Sequence, residues 1–239
     1  MVNISVIARR ELDSFFLSPV SYVVLTAFAM IHGVRFSALL GQQQIASGMV
    51  ATRTLWLSLS LLIFAVPVLT MRLMSREFGR RTIENLLTAP VTDGQVVAGK
   101  YIGALLFTLV MLLPLWLEIG YLAAVTELDW GRMMAGFIGV FLVTCQFLAV
   151  GLLCSTLTRM QLAAAILSLA VLLSLALLGF LTGGAPSRTA YVLRYLSPLN
   201  HFRPFGHGVI DSRSLVYFAT STALVLSVTV PVAEFKRWR

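Results

Sequence analysis

Gly94, Gly99 and Lys100 stand in the stretch DGQVVAGK with the G-x-x-x-x-G-K spacing that cradles a nucleotide phosphate. In such a loop the backbone amides and the lysine hold the phosphates, a Ser or Thr after the lysine holds Mg²⁺, and a strand leads in. Here Tyr101 follows Lys100, the preceding TAPVTDG is a turn marked by Pro and Gly, and an apolar run follows. The spacing therefore does not predict ATP binding by this chain, and Lys100 is read as the cytoplasmic lip of a membrane span. Glu118 lies inside an otherwise apolar run, where an acid is a functional candidate by default or else satisfies an Arg or a helix end. His32 and Arg35, spaced i and i+3, are read as facing headgroups or an outer loop. His201, His207 and Asp211 invite a metal reading, but the two histidines are six apart with Pro204 between them, which is not a helical ligand spacing. Cys145 and Cys154, nine apart, fall about 180° apart and about 13.5 Å along one helix, so they do not pair with each other; they read as small buried hydrophobes. No nucleophile stands with a base, so no catalytic, cofactor or metal site is expected.

The elements that carry these residues follow from composition. Of 239 residues 58% are hydrophobic and only 12% charged, against about 25% charged in a soluble domain. Six uncharged or nearly uncharged runs are long enough for a bilayer core of about 30 Å, which needs about 20 helical residues. They lie between Asp13 and Arg35, between Arg53 and Arg72, from Tyr101 to Val125, from Met133 to Thr158, from Met160 to Thr182, and from Ser214 to Ala233. The runs are apolar all round, without the alternation of membrane strands, so the expected fold is an all-α integral membrane bundle in a single domain over 1–239. The opening MVNISVIARRELDSFF is amphipathic and carries acids, unlike a cleaved leader, so the first span is expected to be retained.

Six spans return the chain to its starting side. With both termini in the cytoplasm, eleven of the eighteen Lys and Arg residues fall inside, including Arg9, Arg10, Arg72, Arg80, Arg81 and Lys236. Most of these flank span ends, where anionic lipid headgroups attract them, so the net charge of +8 does not imply nucleic acid. Three segments are too polar to cross. In SREFGRRTIENLLTAP, residues 75–90, Glu77, Arg80, Arg81 and Glu84 share one helical face and form two i, i+4 pairs of opposite charge. Phe78, Ile83, Leu86 and Leu87 spread over the other half. Such a surface helix either anchors the second span or docks a cytoplasmic partner. Residues 1–17 form an amphipathic helix, and residues 183–213 combine four Arg and two His with the apolar run AYVLRYL.

Together these segments resemble the permease subunits of ABC-2 type exporters, closest to the gliding-motility-associated branch. The family segment E-x-x-x-G-T-x-E-x-L-L-x-x-P after the second span is matched at Glu77, Glu84, Leu86, Leu87 and Pro90, with Gly79 two residues ahead of the family's glycine position and Arg81-Thr82 nearby. The stretch RRELDSFFLSPVSYVV is similar to the family's N-terminal amphipathic helix through Arg10, Glu11, Leu12, Phe15, Phe16 and Pro19. LSPLNHFRPFGHGVID resembles the segment before the last span through Ser197, Pro198, His201, Phe202, Gly208 and Asp211. The resemblance implies a bacterial inner-membrane, multi-pass permease that pairs with a second copy or a related chain. Separate ABC ATPase subunits would bind ATP and Mg²⁺ and act through residues 75–90 as a coupling helix. It also implies that 183–213 caps an outer exit, with Tyr191, Leu193, Tyr195 and Leu196 as interfacial anchors and Pro198, His201, Phe202 and Asp211 as structural residues. Two other readings stay open: an ion-coupled carrier or channel using Glu118, and a membrane anchor that relays ATPase motion to an outer partner.

Overall fold

The computed structural model describes residues 2–41, 47–75, 92–181 and 188–237, and every regular element among them is helical. In chain order these are α1 (Val2–Phe16), α2 (Pro19–Leu40), α3 (Ser47–Thr70), α4 (Asp93–Met111), α5 (Leu113–Val125), α6 (Trp130–Leu157), α7 (Gln161–Leu181), α8 (Arg188–Leu196), α9 (Pro198–Gly206) and α10 (Ser212–Arg237). Among the described residues six spans are long and apolar enough to cross a membrane: α2, α3, α4 with α5, α6, α7 and α10.

The number of spans agrees with the expectation from composition; their edges do not all agree. α2 runs past Arg35 and α3 begins before Arg53, because a long arginine near a helix end can keep its guanidinium at the interface while its stem stays in the helix. The third span begins at Asp93 rather than Tyr101. Thr92 caps it: its hydroxyl accepts from Gln95 N and the Gln95 side chain accepts from Thr92 N, a reciprocal box. The same span breaks at Leu112 (φ −80°, ψ 0°), two residues ahead of Pro114, whose missing N–H cannot continue the ladder.

α6 is the most enclosed of the six spans and contacts α3, α4, α7, α9 and α10. Its glycines set that closeness. A Cβ on Gly139 would lie 2.6 Å from Phe205 Cβ, and one on Gly151 would collide with Thr70. Around α6 the core is filled by Phe107, Phe147, Leu55, Leu59, Leu62 and Ile119. α1 lies against α4 rather than free on a surface: Phe15 stacks on Phe107 with centroids 4.9 Å apart, and Phe16 meets the same ring edge-on at 5.4 Å. Gly99 and Gly103 form its seat. A Cβ at either would come within 2.6 Å of Ile7 or 2.8 Å of the Ala8 carbonyl and Glu11.

Candidate functional site

Three polar assemblies break the apolar interior, one on the face that carries the termini, one within the spans, and one on the opposite face. On the terminal face α1 is tied to α4 by an ion pair. Lys100 Nζ donates to Glu11 Oε1 at 2.6 Å, and Lys100 is only 3% exposed. Lys100 is the eighth residue of the third span's helix and lies beneath α1. Gly94 and Gly99 belong to the same helix, so the phosphate-loop spacing falls within a helix rather than a loop; Gly99 lies against α1, whereas a Cβ at Gly94 would meet nothing within 4 Å.

On the same face the end of α3 is held from two sides. Ser155 on α6, fully buried, accepts from Met74 N at 3.1 Å and Ser75 N at 3.2 Å and donates to Met71 O at 3.3 Å. Arg72 donates to Ser18 Oγ and, at 3.1 Å, to Ser21 Oγ, fastening α3 to the start of α2. Ser155 thus meets two amides of the turn and the Met71 carbonyl, one of the carbonyls that a helix end leaves without an intrahelical partner, while Arg72 ties the turn to α2 through side chains. Residues 76–91, which continue directly from this turn, lie outside the described residues, and with them Glu77, Phe78, Arg80, Arg81, Glu84, Leu86 and Leu87.

Within the spans, Glu118 and His32 meet. His32 Nδ1 lies 3.0 Å from Glu118 Oε2, and Ser58 Oγ lies 3.2 Å from the other ring nitrogen and 3.1 Å from the Thr54 carbonyl. His32 is fully buried and also rests against Phe28. The expectation that it faces headgroups is overturned: its helix turns it inward, where two other spans supply polar partners that a charge-free helical wheel does not reveal. Serine, histidine and carboxylate in this order are the chemistry of a hydrolase relay. Ser58 is closed off from any substrate, however, at 0% exposure, and the assembly acts as a polar tie between α2, α3 and α5.

On the opposite face α9 inserts between spans. Phe202 and Phe205 are fully buried against Gly139, Trp56 meets Phe202 edge-on at 5.0 Å, and Pro198 is buried at the start of α9. His201 stacks on Tyr217 of α10 at 3.9 Å, with Tyr195 edge-on at 5.0 Å. Its Nε2 lies 2.9 Å from the Tyr195 carbonyl and its Nδ1 3.1 Å from Ser214 Oγ. A carbonyl only accepts, so Nε2 carries the proton and Nδ1 is free to accept from Ser214. Burial pushes this imidazole below the usual histidine range, against the opposing pull of the Tyr195 carbonyl and Asp211. Tyr217 completes the joint, donating to Leu196 O at 2.7 Å while Gln146 on α6 donates to its hydroxyl at 3.2 Å. Asp211 Oδ1 accepts from Arg213 N at 2.9 Å and so caps α10. Tyr191, Tyr195 and Leu196 are exposed along α8, and Leu193 is half-buried.

An amphipathic helix docked before the first span, a six-span bundle, and two short helices tucked in before the last span now stand in one order. The family described as ABC-2 family transporter protein matches residues 6–234. The chain belongs to the ABC-2 transporter family. No curated protein matches it. As an ABC-2 family member it is a multi-pass membrane protein, the permease component of an ABC transporter, in a class that associates with ABC ATPases and is generally not itself catalytic. Among the residues expected from sequence, this ABC-2 permease brings Glu11, Phe15 and Phe16 onto α4, and His201, Phe202 and Asp211 into one joint. Arg10 and Pro19 stay exposed beside α1 and α2. Arg72, Ser155, Gln146 and Tyr217 were not singled out as site residues by the motif comparison. A Ser or Gln within an apolar run carries a weak signal, since a span can satisfy a hydroxyl on its own backbone, as Thr144 does with Val140 O at 2.7 Å.

Proposed function

We propose that this chain is the permease half of an ATP-driven exporter in the cytoplasmic membrane of a bacterium, with both termini in the cytoplasm and ATP hydrolysed by separate ABC ATPase subunits. Residues 75–90 serve as the coupling helix, and two permease chains, alike or related, form the path. The observation that carries this reading is the double anchorage of the α3 C-terminal turn by Ser155 and Arg72. A docking segment transmits a partner's rigid-body displacement only if it is joined stiffly to the spans. This turn links the start of residues 75–90 to α2, α3 and α6 at once. On the opposite face α8 and α9 act as an outer gate, with Phe202 and Phe205 as its plug and His201, Tyr217 and Tyr195 as its hinge joint. The order of motifs supports a place near the gliding-motility-associated branch, in which the same motion can also serve extracytoplasmic work.

The partner reading is tested by affinity purification of this chain in mild detergent, with identification of co-eluting chains and an ATP hydrolysis assay. An ABC ATPase co-purifies with the wild type, and Glu84→Arg lowers its recovery and the coupled turnover at least severalfold while membrane insertion is unchanged. Full recovery and turnover with that variant would falsify the coupling role of residues 75–90. A preparation free of any ATPase in several detergents would return the carrier reading, with Glu118 the next residue to substitute.

A further inference from the structure

Beside the docked helix, on the terminal face, an open cavity of about 790 Å³ lies between α1, the start of α2 and the end of α3. Its wall has two distinct chemistries. Arg9 and Arg10 on α1 are exposed toward it, and Arg72 reaches it from the turn after α3, held there by Ser18 and Ser21; among the described residues Asp13 is the one acid in the lining. Among the described residues neither Arg9 nor Arg10 is in an ion pair. The apolar part of the same wall is unusually open to the surroundings, with Leu17 84% and Val6 59% exposed.

We propose that this cavity binds the headgroup of an anionic phospholipid, with its acyl chains running along Val6, Leu17 and Val20. The paired chemistry carries the inference. Clustered arginines at the level of a membrane interface recognise phosphate by charge-assisted hydrogen bonds. An exposed leucine and valines adjoining that cluster suit the chains attached to such a phosphate, whereas a free phosphate ion would have no use for them. The lipid touches three elements at once, because the cavity is walled by α1, α2 and the residue, Arg72, that fastens the α3 turn. Occupancy therefore stiffens the junction from which residues 75–90 emerge. Binding itself does not depend on the ATPase reading, which has its own co-purification test; that reading only places the cavity at the cytoplasmic leaflet.

The experiment is native mass spectrometry of the delipidated full chain in detergent, titrated separately with phosphatidylglycerol, phosphatidylcholine and inorganic phosphate. The wild type retains phosphatidylglycerol over phosphatidylcholine by on the order of tenfold, Arg9→Gln with Arg10→Gln removes that preference, and Leu17→Ser weakens retention of both lipids. Arg213→Gln, an exposed arginine on the opposite face, leaves the preference as in the wild type. Equal retention of the two lipids, or a preference that survives the double substitution, overturns the proposal. So does inorganic phosphate that competes with phosphatidylglycerol at equal concentration, since that marks a plain anion site.

Discussion

At the scale of single residues, the consequential side chains are those that satisfy another helix rather than their own. Ser155 takes two backbone N–H groups of the α3 turn at a site with no exposure. Ser155→Ala leaves both amides without that acceptor, and a loss of about 1–3 kcal/mol in stability is expected. Thermal unfolding in detergent reads the loss, and coupled ATP turnover should fall further than stability alone explains. His201 gives a prediction in pH. Its folded-state pKa is depressed by burial, so the neutral ring stabilises the joint fully above about pH 6.5, the usual unfolded value. That contribution fades as pH falls through the folded pKa, because the unfolded chain then binds more protons. Melting curves from pH 8 to 5 should show wild type losing more of its midpoint than His201→Gln does; parallel curves would remove the ring from the joint. Residue identities were only half legible from sequence. Glu118 stood out as an acid among apolar neighbours, whereas its partner His32 lay near a charged helix end and read as interfacial. Nothing local distinguishes a histidine turned outward from one turned inward when both flanks are apolar.

At the scale of elements, length and hydropathy located every span, because a run of about 20 uncharged residues has few other uses. Boundaries were less legible for a physical reason. Arg35, Arg53 and Lys100 look like edges when charge alone is read, yet two sit near helix ends as long amphipathic side chains and the third is neutralised by Glu11 from another helix. α1 was recognisable as amphipathic, but its seat was not. Gly99 and Gly103 form a surface without side chains, and for Gly99 the sequence spacing disguised that role as a phosphate loop. Gly103→Val should force α1 off α4, since even a Cβ meets the Ala8 carbonyl and Glu11 at 2.8 Å. A cysteine at position 8, otherwise shielded, should then react with a water-soluble maleimide many times faster than in the unsubstituted background. An unaltered labelling rate would mean that the helix pair tolerates the added bulk.

At the scale of the whole molecule, fold class and family were both legible, the first from composition and the second from the order of three motifs around six spans. The surface proposed to meet the ATPase reads in the sequence as amphipathic periodicity in residues 75–90. Pairing of permease chains is testable directly. Two differently tagged copies expressed together should co-purify, and recovery of each tag alone would leave pairing to a related chain. The tie between α1 and the third span also orders events in time. Glu11 and Lys100 are 89 residues apart in the chain, so at about 5–20 residues per second the helix is made about 4–18 s before its seat exists. During that interval two spans are already being inserted while Phe15 and Phe16 have no Phe107 to meet. α1 is thus synthesised ahead of its seat and cannot close its contacts with α4 until the third span is made, which leaves it open to chaperones, proteases or lipid in the nascent chain.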